Sequence, residues 1–268
     1  MPRANVNGVS LYYEVAGRGT PVVLVHGFAC GMRSWDPQVS ALAERFRVIT
    51  YDVRGFGISD APDDPAQYSQ AISIADLAGL LDELKLKRAV VGGLSMGGNI
   101  ALNFALAHPD RVRALIVADT GSGSDEHADW VAAAHGLAEA AETGGMEAFT
   151  DQACANPLFA SYIGQGGHAE RFIRSCLMTH RARGVAHTAR EVLSKRPSLY
   201  SLEEPLRALR VPTLLIVGEH DAPCVRVHAW MAKTLPRVTA ITIPGVGHLT
   251  NLEAPAAFNR AVVRFLTR

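Results

Sequence analysis

Short, almost wholly apolar runs that close on glycine or aspartate recur along the chain: PVVLVHG at 21–27, RVITYD at 47–52, RAVVGG at 88–93, VRALIVAD at 112–119, VPTLLIVGEHD at 211–221 and VTAITIPG at 238–245. Each is too short for a helix and shows no polar alternation, which is how a strand reads when both faces of its sheet are covered. Helix-period segments lie between them. In SIADLAGLLDEL, residues 73–84, Ile74, Leu77, Leu81 and Leu84 recur at helical intervals, and Ser73 and Asp76 have the spacing of a capping box. NIALNFALAH (99–108) is stopped by Pro109, VRVHAWMAKTL (225–235) reads as another helix, and a last one is expected from about Glu253 with Pro255 in its first turn. Asn7-Gly8, between Val6 and Val9, is a two-residue hairpin turn. The pattern predicts an α/β protein: a mostly parallel central sheet with helices on both faces.

The rhythm breaks between 124 and 205, where no Val/Ile-rich run occurs and two long stretches, DWVAAAHGLAEAAE and AERFIRSCLMTHRARGVAHTAREVL, read as helices. We expect a core of 1–123 and 206–268 carrying a helical cap at 124–205. Charge is segregated within the cap: 125–151 holds only acids, whereas Arg171, Arg174, Arg181, Arg183, Arg190, Lys195 and Arg196 crowd its second half. Those cations read as solvated helix faces or as a contact for a substrate carboxylate.

The 26 basic and 26 acidic residues cancel, so no net field draws nucleic acid or an anionic membrane, and a small molecule is the expected partner. The N-terminus lacks an apolar signal core and no stretch approaches eighteen consecutive apolar residues, which leads us to expect a cytoplasmic protein. Cys30, Cys154, Cys176 and Cys224 form no C-x-x-C pair, the ten histidines have no metal-ligand spacing, and no phosphate-cradling loop is present, so neither metal nor cofactor is expected.

Gly93-Leu94-Ser95-Met96-Gly97 falls where a strand ends and a helix begins. A sharp turn there lifts a serine hydroxyl above the sheet and presses together the residues two positions to either side, which is why glycine suits both. Serine needs a base, and the base a carboxylate. Asp221 and His248 follow in that order, each past the end of a later strand, where open α/β sheets place their sites. Such a base implies activity rising through about pH 6 to 7. Backbone donors for an oxyanion would be the N–H of Met96 and, beside Gly27, that of Phe28. Asp119, at another strand end, is an alternative acid. His26, His220, Asp52 and Arg54 read as structural. Cys30, next to the oxyanion loop, is placed in the pocket without a nucleophilic role. The cap aromatics and methionine, Trp130, Phe149, Phe159, Tyr162, Phe172 and Met178, are expected to roof that pocket.

Together LVHGF, YDVRGFGISD, GGLSMGGN, GEHD and GVGH resemble the α/β-hydrolases in content and order. The resemblance implies about eight strands, a helical cap between the sixth strand and the acid, and cofactor-free hydrolysis, and the apolar pocket roof leads us to expect carboxylic esters or lactones of small to medium acyl groups as substrates. Ser95 would be nucleophile, His248 base, Asp221 orienting acid, and Phe28 and Met96 the oxyanion donors. Other chemistries of the family are C–C bond hydrolysis, from whose pattern Leu94 and FACG depart, perhydrolase or haloperoxidase activity with the same triad, and ligand reception without catalysis.

Overall fold

The computed structural model describes residues 1–268. Strands β1 (Arg3–Val6) and β2 (Val9–Ala16) form the hairpin, with Asn7 and Gly8 both at positive φ, as a two-residue turn of this type needs. There follow β3 (Pro21–Val25), α1 (Asp36–Leu42), β4 (Arg47–Tyr51), α2 (Gln70–Glu83), β5 (Ala89–Leu94), α3 (Met96–Ala107) and β6 (Val112–Ala118). The eight-stranded sheet has the order β1-β2-β4-β3-β5-β6, continued by β7 (Thr213–Gly218) and β8 (Val238–Ile243); the β1-β2 and β2-β4 pairs are antiparallel and the rest parallel. Every residue of β5 and β7 is buried. The central strands thus lie between two helical layers, as their unbroken apolarity predicts.

Two boundaries differ from expectation. Helix α2 begins at Gln70, because Ser69 is its N-cap and accepts from the N–H of Ile72. Asp76, expected in the capping box, is instead buried in a bidentate ion pair with Arg54, both contacts at 2.8 Å. The C-terminal segment forms two helices that break at Ala254.

Between β6 and β7 run α4 (His127–Cys154), α5 (Pro157–Ile163), α6 (Gly167–Leu177), α7 (Ala182–His187) and α8 (Glu203–Ala208). Helix α4 kinks at Gly145, whose φ of 67° and ψ of −161° are not helical. Helix α7 continues as a π-helical stretch, Thr188–Leu193. The start and finish of this excursion are bonded to each other: Arg196 Nη2 donates to Ser122 O at 2.9 Å, Ser198 Oγ to Ser124 O at 3.0 Å, and Leu199 N to Ser124 Oγ at 3.2 Å. After β7 come α9 (Ala222–Thr234), then β8, α10 (Thr250–Glu253) and α11 (Pro255–Leu266). No helix is long and apolar enough to cross a membrane.

Candidate active site

Ser95 stands between β5 and α3 with φ 55° and ψ −114°, a conformation that a non-glycine residue adopts only under strain. Its glycine neighbours are required by contact. A Cβ on Gly93 would lie 2.2 Å from the carbonyl carbon of Gly97, and one on Gly97 would lie 2.1 Å from Val25 O. The backbone of the turn therefore nests directly on β3 and on itself, and the serine hydroxyl is left pointing away from the sheet.

Ser95 Oγ lies 2.9 Å from His248 Nε2, and His248 Nδ1 lies 2.9 Å from Asp221 Oδ2. The carboxylate fixes Nδ1 as the protonated nitrogen and so leaves Nε2 as an acceptor for the serine proton. Burial disfavours the imidazolium, yet the charge of Asp221 and its hydrogen bond outweigh burial and hold the His248 pKa well above the ordinary histidine value. Asp119 is a strut beside this chain. Its Oδ1 accepts from Gly218 N at 3.0 Å, and its Oδ2 accepts from Thr250 N at 3.2 Å and Thr250 Oγ1 at 2.5 Å, which ties the acid's strand to the loop of the histidine. It makes no bond to His248. Burial and the charge of Asp221 raise its own pKa well above the usual carboxylate range.

Met96 is the first residue of α3, where a helix leaves N–H groups without intrahelical partners. The Phe28 N–H, in the turn after β3, makes no bond within the protein. Gly27 lets that turn approach closely, since a Cβ there would sit 3.1 Å from Leu94 Cδ2 and 3.6 Å from Ser95 Cβ. Both N–H groups thus belong to the turns that meet at Ser95, Met96 directly after it and Phe28 on the turn that Gly27 brings against it.

Above Ser95 lies a narrow cavity of about 50 Å³, with thirteen hydrophobic residues among its seventeen lining ones. A groove of about 710 Å³, only four of whose eighteen lining residues are hydrophobic, shares His248 and Trp130 with this cavity but not Ser95. A serine–histidine–carboxylate chain whose histidine and carboxylate are buried can, with backbone donors beside it, transfer an acyl group.

A family model for the alpha/beta hydrolase fold matches residues 20–255. The chain belongs to the α/β-hydrolase family. Among solved structures, the enol-lactonase from Burkholderia xenovorans LB400 is 31% identical, with a TM-score of 0.87 and 100% of both chains covered. A thermophilic esterase from Thermogutta terrifontis, in a malate-bound structure, is also 31% identical at a TM-score of 0.87, covering 99% of this chain and 97% of that one. A protein of Bacillus subtilis (strain 168), provisionally assigned as a 2-succinyl-6-hydroxy-2,4-cyclohexadiene-1-carboxylate synthase, is 33% identical over 95% of this chain and 94% of its own length.

In this α/β-hydrolase the expected pocket residues divide. Gly27, Phe28, Cys30, Trp130 and Phe159 line the cavity with Ser95 and His248. Phe149, Tyr162, Phe172 and Met178 do not. Phe149 is fully buried one layer back, edge-on to Phe28 at 6.0 Å; Tyr162 and Phe172 pack on each other at 6.4 Å; Met178 is exposed and receives a hydrogen bond from Thr150. Small residues, Ala133, Ala134 and Ala153, take much of the wall in their stead.

None of the seven basic residues between 171 and 196 lines either space. Arg174 pairs with Asp151 and Glu170, Arg183 with Asp63, Arg190 with Glu142, and Lys195 with Glu191. Arg196 is buried with its guanidinium carbon 4.7 Å from the centre of the Trp130 ring, and desolvation lowers its pKa to about 10.

His26 is buried, accepts from Val53 N at Nε2 and donates to Gly27 O; burial lowers its pKa to about 4. Asp52 accepts from Met32 N and Ile58 N, and His220 lies exposed at the groove. Asp221, Cys224 and His248 place three ligand-type atoms within 4.8 Å of one another. Asp221 Oδ2 and His248 Nδ1 are engaged with each other, however, and burial holds the Cys224 thiol protonated, its pKa pushed up to about 11, so these residues serve as a hydrogen-bond set and fit a metal poorly. The thiol of Cys30 is likewise raised, to about 12, by burial and by Cys176, and is no nucleophile at neutral pH.

One positioning residue escapes sequence reasoning. His180, from the turn after α6, accepts from Gly57 N at Nδ1 (2.9 Å), which makes its Nε2 the donor to Ala29 O (2.9 Å). Its ring stands edge-on to Phe56 at 5.1 Å. Ala29 adopts φ 63°, unusual without glycine, in the very turn that carries the Phe28 N–H. A cap residue thereby holds the turn that carries Phe28.

Proposed function

We propose that this α/β-hydrolase is a serine hydrolase that cleaves carboxylic esters or lactones of small to medium acyl groups through an acyl-enzyme. The observation that carries the reading is the unbroken Ser95–His248–Asp221 hydrogen-bond chain opening into an apolar cavity. Ser95 Oγ attacks the carbonyl carbon and passes its proton to His248 Nε2, while Asp221 stabilises the imidazolium. The N–H groups of Phe28 and Met96 receive the oxyanion, where each such donor is worth a factor on the order of a hundred to a thousand in turnover. Collapse expels the leaving oxygen, which takes the proton from His248. Water, activated by the same Nε2, then releases the acid and restores the serine.

The likeness to an enol-lactonase and an esterase supports the ester and lactone chemistry. The synthase's name describes a carboxylate product. Only one guanidinium, Arg226, lines either space here, and it is paired with Asp125, so a carboxylate-directed reaction is less well supported. The test is a chain-length panel of p-nitrophenyl esters on the wild type and Ser95→Ala, together with phosphonate labelling. A single adduct on Ser95 with loss of activity is expected; an adduct elsewhere, or undiminished turnover by Ser95→Ala, overturns the reading.

A further inference from the structure

The two spaces that share His248 differ too much in size and polarity to take the same half of a substrate. Ser95 and the Phe28 turn line the narrow apolar cavity and are absent from the groove, whereas His248 lines both. In the tetrahedral intermediate the oxyanion faces the Phe28 and Met96 donors, and the leaving oxygen must face His248 Nε2 to receive its proton. This places the leaving group on the histidine side and directs the acyl chain into the apolar cavity. Trp130 is one of five residues that line both spaces, and its ring is held from two directions, its Nε1 donating to Leu193 O at 2.9 Å and the Arg196 cation lying against its face.

We infer that the preferred substrates are esters of short apolar acids with bulky polar alcohols that are neutral or cationic. The inference rests on the serine-hydrolase reading and adds which half of the substrate carries the bulk. A cavity of about 50 Å³ limits the acid, and a polar groove of about 710 Å³ admits an alcohol far larger. Charge narrows the class further. The groove presents Asp125, Glu126 and Asp129 against Arg226, whose guanidinium is bonded to Asp125 at 3.2 Å. Glu126 and Asp129 are exposed and make no ion pair, so a carboxylate on the leaving group meets repulsion there.

The test compares kcat/KM for four esters: glycerol monobutyrate, butyrylcholine, O-butyrylglycolate and methyl dodecanoate. Glycerol monobutyrate and butyrylcholine are expected to exceed methyl dodecanoate. Butyrylcholine should exceed O-butyrylglycolate by about tenfold in dilute buffer, a gap that shrinks as salt screens the groove. The double variant Glu126→Gln, Asp129→Asn should narrow the same gap without salt. Preference for methyl dodecanoate reverses the two sides and overturns the inference while leaving the serine mechanism intact. Equal turnover of the choline and glycolate esters at all salt concentrations overturns its charge component. If none of the four is cleaved and Ser95 takes no phosphonate, the underlying reading fails and this inference with it.

Discussion

His180→Ala should damage catalysis through a residue that touches no reacting atom. The substitution strands the Ala29 carbonyl, now paired at 2.9 Å in a buried setting, and the Gly57 N–H, paired at 2.9 Å in a half-buried one. An unsatisfied buried group costs about 1–3 kcal/mol, and the lost edge contact with Phe56 about another 0.5–1.5 kcal/mol. Water entering the vacated space offsets part of this, which leaves a net loss of about 3 kcal/mol. At about 2–4 °C per kcal/mol for a chain of this length, Tm should fall by about 6–12 °C. The catalytic consequence is separate. With its carbonyl released, Ala29 can relax from its φ of 63° and carry the adjacent Phe28 N–H away from the oxyanion. Full loss of one donor is worth about a hundredfold to a thousandfold, and a displaced donor about tenfold. We expect kcat to fall about tenfold with KM little changed, and the affinity for a trifluoromethyl ketone, which mimics the tetrahedral adduct, to fall by the same ratio. His180→Gln, which keeps one donor and one acceptor, should recover part of both. If His180→Ala melts early yet keeps kcat and ketone affinity within twofold of wild type, the imidazole only packs.

Further tests probe the charges of the site. Asp221→Asn should reduce kcat/KM by as much as about ten-thousandfold by favouring the wrong imidazole tautomer, whereas Asp119→Asn should remain within about tenfold and lose about 1–3 kcal/mol of stability, because its amide turns a donor toward Thr250 or Gly218; steady-state kinetics and denaturant melts separate the two. His248 must be neutral to take the serine proton, and its pKa is raised, so the acid limb of kcat/KM should lie above 6.5, higher than an unperturbed histidine implies, with activity lost as pH falls through it; a limb at or below 6.5 contradicts the pairing with Asp221. His26 and His180 have pKa values lowered to about 4 by burial, so the unfolded chain binds protons there before the folded one does. Stability should therefore decline as pH falls from about 6.5 toward 4, with a slope approaching two protons from these groups in melts across that range.

What could be read from the chain depended on the distance over which each residue finds its partner. The buried strands announced themselves because a strand covered on both faces is apolar throughout, and Gly93 did so because its close neighbours, Gly97 and Gly98, lie within the same turn; Gly97 is pressed instead against Val25 and His26 at the end of β3 and was legible only through the motif it shares with Gly93. The capping-box spacing of Ser73 and Asp76 misled because Asp76 is claimed by Arg54, twenty-two residues away. The pairs Arg174–Glu170 and Lys195–Glu191 follow helical spacing and were accessible in principle, while Arg190–Glu142 bridges two helices and was not. Apolarity marked the cap aromatics as buried without saying which wall they face, so Phe149 and Tyr162 fell behind the cavity and alanines supplied its surface. His180 carries no local sign at all, because its partners are backbone atoms 123 and 151 positions away.

The hydrogen bonds from Arg196, Ser198 and Leu199 back to Ser122 and Ser124 give the excursion between β6 and β7 coincident feet. A segment anchored in this way closes its own loop, and lengthening or shortening it alters the closure entropy only logarithmically. The strands on either side pair directly, Ala118 opposite Ile216, and do not need the intervening helices to set their register. Natural variation and laboratory recombination can accordingly exchange the roof over Ser95 as one cassette, cut at these feet, and the machinery beneath keeps its place where the new roof again supplies what His180 gives to Gly57 and Ala29.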